Sequence, residues 1–251
     1  MDGLALLFFC IAAFVGGFAS GLAGFAMGFI VSAVWLHLIS PVETTALVVG
    51  CSLWTQGYGV WKLRSALRWR KVAPFIIAGT IGVPLGVLLL RVLNPDHIRA
   101  GVGVLLFVYG LNGLLQPRFR ALEVGRAVDA GIGFLNGALC GLTGLPGFII
   151  TVWCQMRGWS KDVQRTIFQP VMLAASVATG VSLIATGKLT WRIGELYLLA
   201  LPALVAGLWL GFKLYGKLDD AGFRKVLLWM VLFAGIALLS ASLVEILAVR
   251  Q

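Results

Sequence analysis

Charge is what this chain has least of. No Asp, Glu, Lys or Arg occurs in residues 3–42, and further uncharged runs cover 44–61, 72–90, 100–117, 130–156, 166–187, 196–212 and 226–244. Only 12% of the 251 residues are charged, against about 25% in an ordinary soluble domain. About 20 apolar residues make one membrane crossing, so runs of this length exclude a water-soluble fold and predict an all-α polytopic membrane protein. Long polar stretches are missing too, which leaves no room for a soluble catalytic or nucleotide-binding domain. The four cysteines, Cys10, Cys51, Cys140 and Cys154, show no CxxC or Cys/His spacing and read as small packing residues. Nothing calls for a metal or a cofactor. Asp219-Asp220 is the only paired acid; it sits in a basic loop, so the chain does not read as an enzyme.

What is present is mostly positive. A net charge of +10 would suggest nucleic acid in a soluble protein, but here the Lys and Arg residues lie in short connections and act as topology signals. The N-terminus, Met1-Asp2-Gly3, lacks a basic leader, and the apolar run that follows outlasts a signal core, so it is expected to be mature protein. Trp61, Trp69, Trp159 and Trp191 flank the runs, where amphipathic rings prefer to sit.

The chain also repeats. A shift of 120 residues places Ser20-Gly21-Leu22-Ala23-Gly24 on Cys140-Gly141-Leu142-Thr143-Gly144, and a shift of 125 pairs Gly82 with Gly207, Gly86 with Gly211 and Gly110 with Gly235. The common order of these pairs predicts two related membrane halves, 1–117 and 126–251, joined by a cytoplasmic linker at 118–125. Each half opens with an uncharged region interrupted by glycine: Gly21 to Gly28 in the first, Gly141 to Gly147, with Pro146, in the second. Glycine weakens a helix and proline removes a donor, so two broken segments are expected, each followed by three ordinary spans.

Loop charge orients the halves. Residues 62–71 hold five basic residues and no acid, which makes that loop cytoplasmic. If each broken region is a single crossing, the halves are parallel, with 11 basic residues inside and 9 outside. If each is a hairpin, re-entrant or of two short spans, the halves are inverted and the division is 15 to 5. The sequence therefore predicts inverted repeats.

Discontinuous helices at matching places in inverted repeats point to a transport site. Each break begins a half-helix whose exposed amides and positive dipole end favour an anion. The candidates are Gly21, Gly24, Phe25, Ala26 and Gly28 in the first break and Gly141, Gly144, Leu145 and Gly147 in the second, with the Ser20 and Thr143 hydroxyls beside them. Pro146 fits a first helical turn. Close helix packing is the competing account of such glycines, and it is preferred for Gly82-xxx-Gly86 and Gly207-xxx-Gly211. The ten acids lie at or near segment ends, which disfavours a cationic substrate. Because no Lys or Arg is read as deep, dipoles and neutral donors would hold the anion. Gln56, Asn112, Asn136, Gln155 and Gln169 are the polar residues that could join; Gln169 either faces the cavity or bonds between helices, and Pro170 beside it is expected to kink its helix. His37, near a segment end, reads as interfacial.

On these residues the chain resembles the TauE/SafE family, bacterial membrane proteins that include exporters of sulfite and other sulfur-containing anions. The match rests on Gly21-Leu22-Ala23-Gly24 and on Gly141-Leu142-Thr143-Gly144-Leu145-Pro146-Gly147, and extends over nearly the whole chain. The first break departs from the denser GxGGG-type run of the family. The resemblance implies a multi-pass protein of the bacterial cytoplasmic membrane that exports a small anion, sulfite or an organosulfur anion. An anion channel and a carrier of small non-sulfur carboxylates are the alternatives.

Overall fold

Both glycine clusters interrupt their helices. The computed structural model describes residues 2–89, 95–115, 122–143, 147–185, 187 and 189–248; among them are ten α-helices and no strand. In the first half they are α1 (Gly3–Ala23), α2 (Met27–Trp35), α3 (Pro41–Lys62), α4 (Trp69–Leu89) and α5 (Pro95–Leu115). In the second half they are α6 (Arg126–Thr143), α7 (Phe148–Met156), α8 (Lys161–Ala185), α9 (Trp191–Tyr215) and α10 (Asp220–Ala248). Among the described residues α1, α8 and α9 are long and apolar enough, by length and composition, to cross a membrane.

The hairpins have unequal limbs. At nine residues each, α2 and α7 rise only ~14 Å, too short to cross about 30 Å of hydrocarbon alone. Each short limb runs back along its long one and is tied there by a tryptophan. Trp35 Nε1 donates to the Phe9 carbonyl at 3.1 Å while its ring stacks on Phe9; Trp153 Nε1 donates to Asp129 Oδ1 at 2.8 Å. Phe9 and Asp129 stand 120 residues apart, the spacing of the repeat.

By packing, the chain divides into two compact units that cut across the sequence halves: Met1–Leu67 with Arg165–Leu218, and Arg68–Gln164 with Asp219–Gln251. In the first, α1 packs along α9. A Cβ added to Gly17 would strike the Leu204 carbonyl, and one on Gly207 the Phe14 carbonyl. In the second, α6 packs along α4, with Gly137 against the Gly79 carbonyl and Gly82 against that of Phe134. Gly17 with Gly137, and Gly82 with Gly207, repeat the sequence shifts of 120 and 125. Backbone contact this close lets dispersion act between helices that lipid would otherwise separate. In the second unit α5 and α10 meet through Gly110 and Gly235, which are also 125 apart.

Local chemistry sets the ends. Ser40 caps α3 in a reciprocal capping box with Glu43, and Pro41 occupies its first turn. The kink expected at Pro170 does not interrupt α8, which runs through it to Ala185.

Candidate functional site

The first break is built by the end of α1. Gly24 takes the left-handed conformation, φ +95°, which only glycine adopts at little cost. A Cβ there would lie 2.5 Å from the Phe168 ring and 3.3 Å from Arg165 Nε. The Gly24 carbonyl accepts a hydrogen bond from Gln56 Nε2 at 3.0 Å, and the same amide touches Met172 Sδ. Phe25 is buried edge-on to Phe168, with ring centres 6.3 Å apart. Ala26 precedes α2, whose first turn has no side-chain cap. Gly28 is different, since a Cβ there would meet only Val48 at an ordinary 3.5 Å.

A cation occupies this break, which corrects the reading that no Lys or Arg lies deep. Arg165 is fully buried. Its Nη1 donates to the Gly21 carbonyl at 2.9 Å and its Nη2 to the Ser20 carbonyl at 3.1 Å, so it caps the negative end of α1. The guanidinium lies 4.2 Å from the Phe212 ring centre and 4.4 Å from that of Tyr215, a doubly cation–π setting. The α-carbon of Gly21 packs against α9 at Leu208 and Gly211, so Gly21 serves packing as well as the break. One turn beyond Arg165, Gln169 lies 1% exposed against Gly59, whose missing side chain makes room for it. Among the described residues Gln169 Oε1 and Nε2, Gln56 Oε1 and Ser20 Oγ are buried without a hydrogen-bond partner. The interhelical bond considered for Gln169 is therefore not made there. Unmatched polar atoms beside a buried cation are costly in an empty protein; of these, Gln169 Nε2 and Ser20 Oγ can donate and suit an anion with oxygen acceptors, whereas Gln169 Oε1 and Gln56 Oε1 only accept.

The second break falls partly outside the described residues: Gly144, Leu145 and Pro146 lie there, as does the side chain of Thr143, while Gly141 is described only as backbone within α6. The helix α7 begins at Phe148, later than the turn assigned to Pro146 from sequence. Gly147, φ +90°, directs its N–H at Asn136 Oδ1, 3.2 Å away, and its carbonyl accepts from Thr151 Oγ1 at 2.7 Å. The amide read as a donor for an anion thus bonds to Asn136. Near the start of the same hairpin, Asp129 pairs with Arg157 at 3.7 Å. Asn112 stands on α5 and is exposed.

With this architecture in view, the comparison with known proteins is decisive: the family model described as sulfite exporter TauE/SafE matches residues 9–238. The chain belongs to this family. No curated relative and no solved structure matches it. As a TauE/SafE protein it is a membrane transport protein, and apolar helices and lipid are its setting. Two elements of this TauE/SafE chain escaped sequence reasoning. Arg165 was counted with the loop charges, although its four-residue spacing to Gln169 places both on one helix face. Gly59 carries no sequence signal apart from standing three residues after Gln56.

Proposed function

We propose that the protein exports a small sulfur-containing anion, sulfite or an organosulfur anion, across the bacterial cytoplasmic membrane by alternating access. The observation that carries this is Arg165 at the Gly24 break. A fixed positive charge sealed from solvent attracts an anion far more strongly than in water, and a guanidinium matches oxyanion geometry. In this reading Arg165 supplies charge, Gln169 Nε2 and Ser20 Oγ supply neutral hydrogen bonds, and Gln56, whose amide donates to the Gly24 carbonyl, holds the break in place. Gly24, Phe25 and Ala26 bring the α2 amides close, and Gly141, Thr143, Gly144, Leu145 and Gly147 form the matching break in the other half. Each hairpin adds an even number of crossings to three spans, so each half crosses an odd number of times, the count that inverts the halves and that the 15 to 5 charge division favours.

The test is a binding series on purified protein with sulfite, sulfate, thiosulfate, sulfonates and carboxylates, read by thermal stabilisation and by titration. Arg165→Gln removes charge-assisted hydrogen bonds typically worth about 1.5–3 kcal/mol, so the preferred anion should bind roughly 10- to 150-fold more weakly. Arg165→Lys should recover part of that loss. If Arg165→Gln lowers the melting temperature but leaves affinity for every anion unchanged, Arg165 is only a cap on α1 and the proposed site fails. Saturable flux with counter-exchange in proteoliposomes separates a carrier from a channel.

A further inference from the structure

A groove on the first unit takes no part in the site described above. It is an open-sided cavity of about 770 Å³ between α3, the C-terminal part of α8 and the start of α9. Its lining is predominantly apolar, with Leu53, Leu183 and Ile193 beside the rings of Trp54, Tyr58 and Trp61. Missing side chains create it. A Cβ built on Gly57 or Gly194 would meet nothing within 4 Å, and one on Gly180 would meet only Val49 at 3.5 Å. Along α3 the lining runs from Ala46 to Trp61, roughly 22 Å at helical rise, longer than the ~15 Å hydrocarbon depth of one leaflet.

The two ends differ in charge. Beside Ala46 and Ile193 the groove ends at a neutralised pair, Arg192 Nε 3.2 Å from Glu43 Oε1. At the other end the Arg64 guanidinium sits 5.9 Å from the Trp61 ring centre, and Lys62 follows Trp61. Neither cation is ion-paired among the described residues, and residues 44–67 contain no acid. Tyr58 and Trp61, with ring centres 5.8 Å apart, mark that end as headgroup level, where such rings prefer to lie.

We infer that the groove binds an anionic phospholipid, with an acyl chain laid between α3, α8 and α9 and its phosphate at Lys62 and Arg64. Hydrocarbon fills an apolar groove that water would wet poorly. Among the described residues the cations without an acidic partner stand at the Trp61 end, and they set both the sign of the headgroup and the direction of the chain.

The test uses full-length protein purified in a neutral detergent and titrated with phosphatidylglycerol or phosphatidylcholine, with bound lipid counted by native mass spectrometry. Phosphatidylglycerol should bind more tightly. Lys62→Gln and Arg64→Gln should each weaken it about fivefold while leaving phosphatidylcholine unchanged. Gly57→Leu, whose Cβ meets nothing within 4 Å, should put its side chain into the groove and remove one bound phosphatidylglycerol, and so should Gly194→Leu on a different helix. Melting temperatures establish that each variant is folded, and because the two glycines stand on separate elements, either one can carry the test. Full retention of phosphatidylglycerol by a folded leucine variant would overturn the assignment. So would equal affinity for the two lipids, or unchanged phosphatidylglycerol binding after both charge substitutions.

Discussion

Gly24 and Gly28 stand in one short motif, and the structure predicts opposite outcomes for the same substitution. Gly24→Ala places a methyl group on a residue at φ +95°, where a left-handed backbone costs an L-residue roughly 1–2 kcal/mol. The new Cβ also stands 2.5 Å from Phe168 Cε2 and 3.3 Å from Arg165 Nε. The ring is held edge-on by Phe25, and displacing it is an overpacking change of about 1–3 kcal/mol. Together these give ~2–5 kcal/mol of destabilisation, or a melting temperature lowered by roughly 5–15 °C. Gly28→Ala lies in α2 with only Val48 at 3.5 Å, so it should stabilise by about 0.5–1 kcal/mol through helix propensity. The assay is thermal unfolding of both variants in one detergent, followed by anion titration of whatever remains folded. Folded Gly24→Ala should bind the anion more weakly, because the break and Arg165 are displaced together; Gly28→Ala should bind normally. If Gly24→Ala melts and binds like the parent protein, or if Gly28→Ala is equally damaging, the left-handed turn does not organise the site.

Gly82→Val should lower the yield of folded protein without selectively changing the anion affinity of what does fold, since its side chain would collide with the Phe134 carbonyl across the α4 and α6 contact; yield and monodispersity on size exclusion, then anion titration of the folded fraction, report this. Single cysteines at Lys161 and Lys217, in a background without the four native ones, should resist an impermeant thiol reagent added outside intact cells, as inverted halves require; labelling of both would contradict inversion. Glu43, outside the apolar runs, has its carboxyl held below the usual 4.5 by the Ser40 backbone N–H, then by the Ser40 side chain and by Arg192. A depressed folded-state value means a stabilising contribution present above about 4.5 and lost as pH falls through the lower folded value. Glu43→Gln should therefore flatten part of the stability loss below pH ~4.5, measured by melting temperature against pH.

Much of this protein is determined by local chemistry and so can be read directly from the chain. Uncharged runs require lipid, glycine clusters cannot continue a helix, and spacings of 120 and 125 mark pairs that recur in the two units as matching helix contacts. The second break could be located but not built, since its central residues lie outside the described ones. What the chain alone could not show depends on which helices meet. The approach of α8 to the end of α1 brings Arg165 to Gly21 across 144 positions, and a cation counted as a loop charge becomes a buried group. Gly59 acquires its role only because Gln169 of α8 fills the space it leaves. Trp35 and Trp153 look like ordinary apolar residues until each hairpin folds back and their indole N–H groups find Phe9 and Asp129. Hydropathy and backbone propensity act over a few residues and are written in sequence order; burial of a charge and satisfaction of a polar atom depend on partners that only the assembled helices supply.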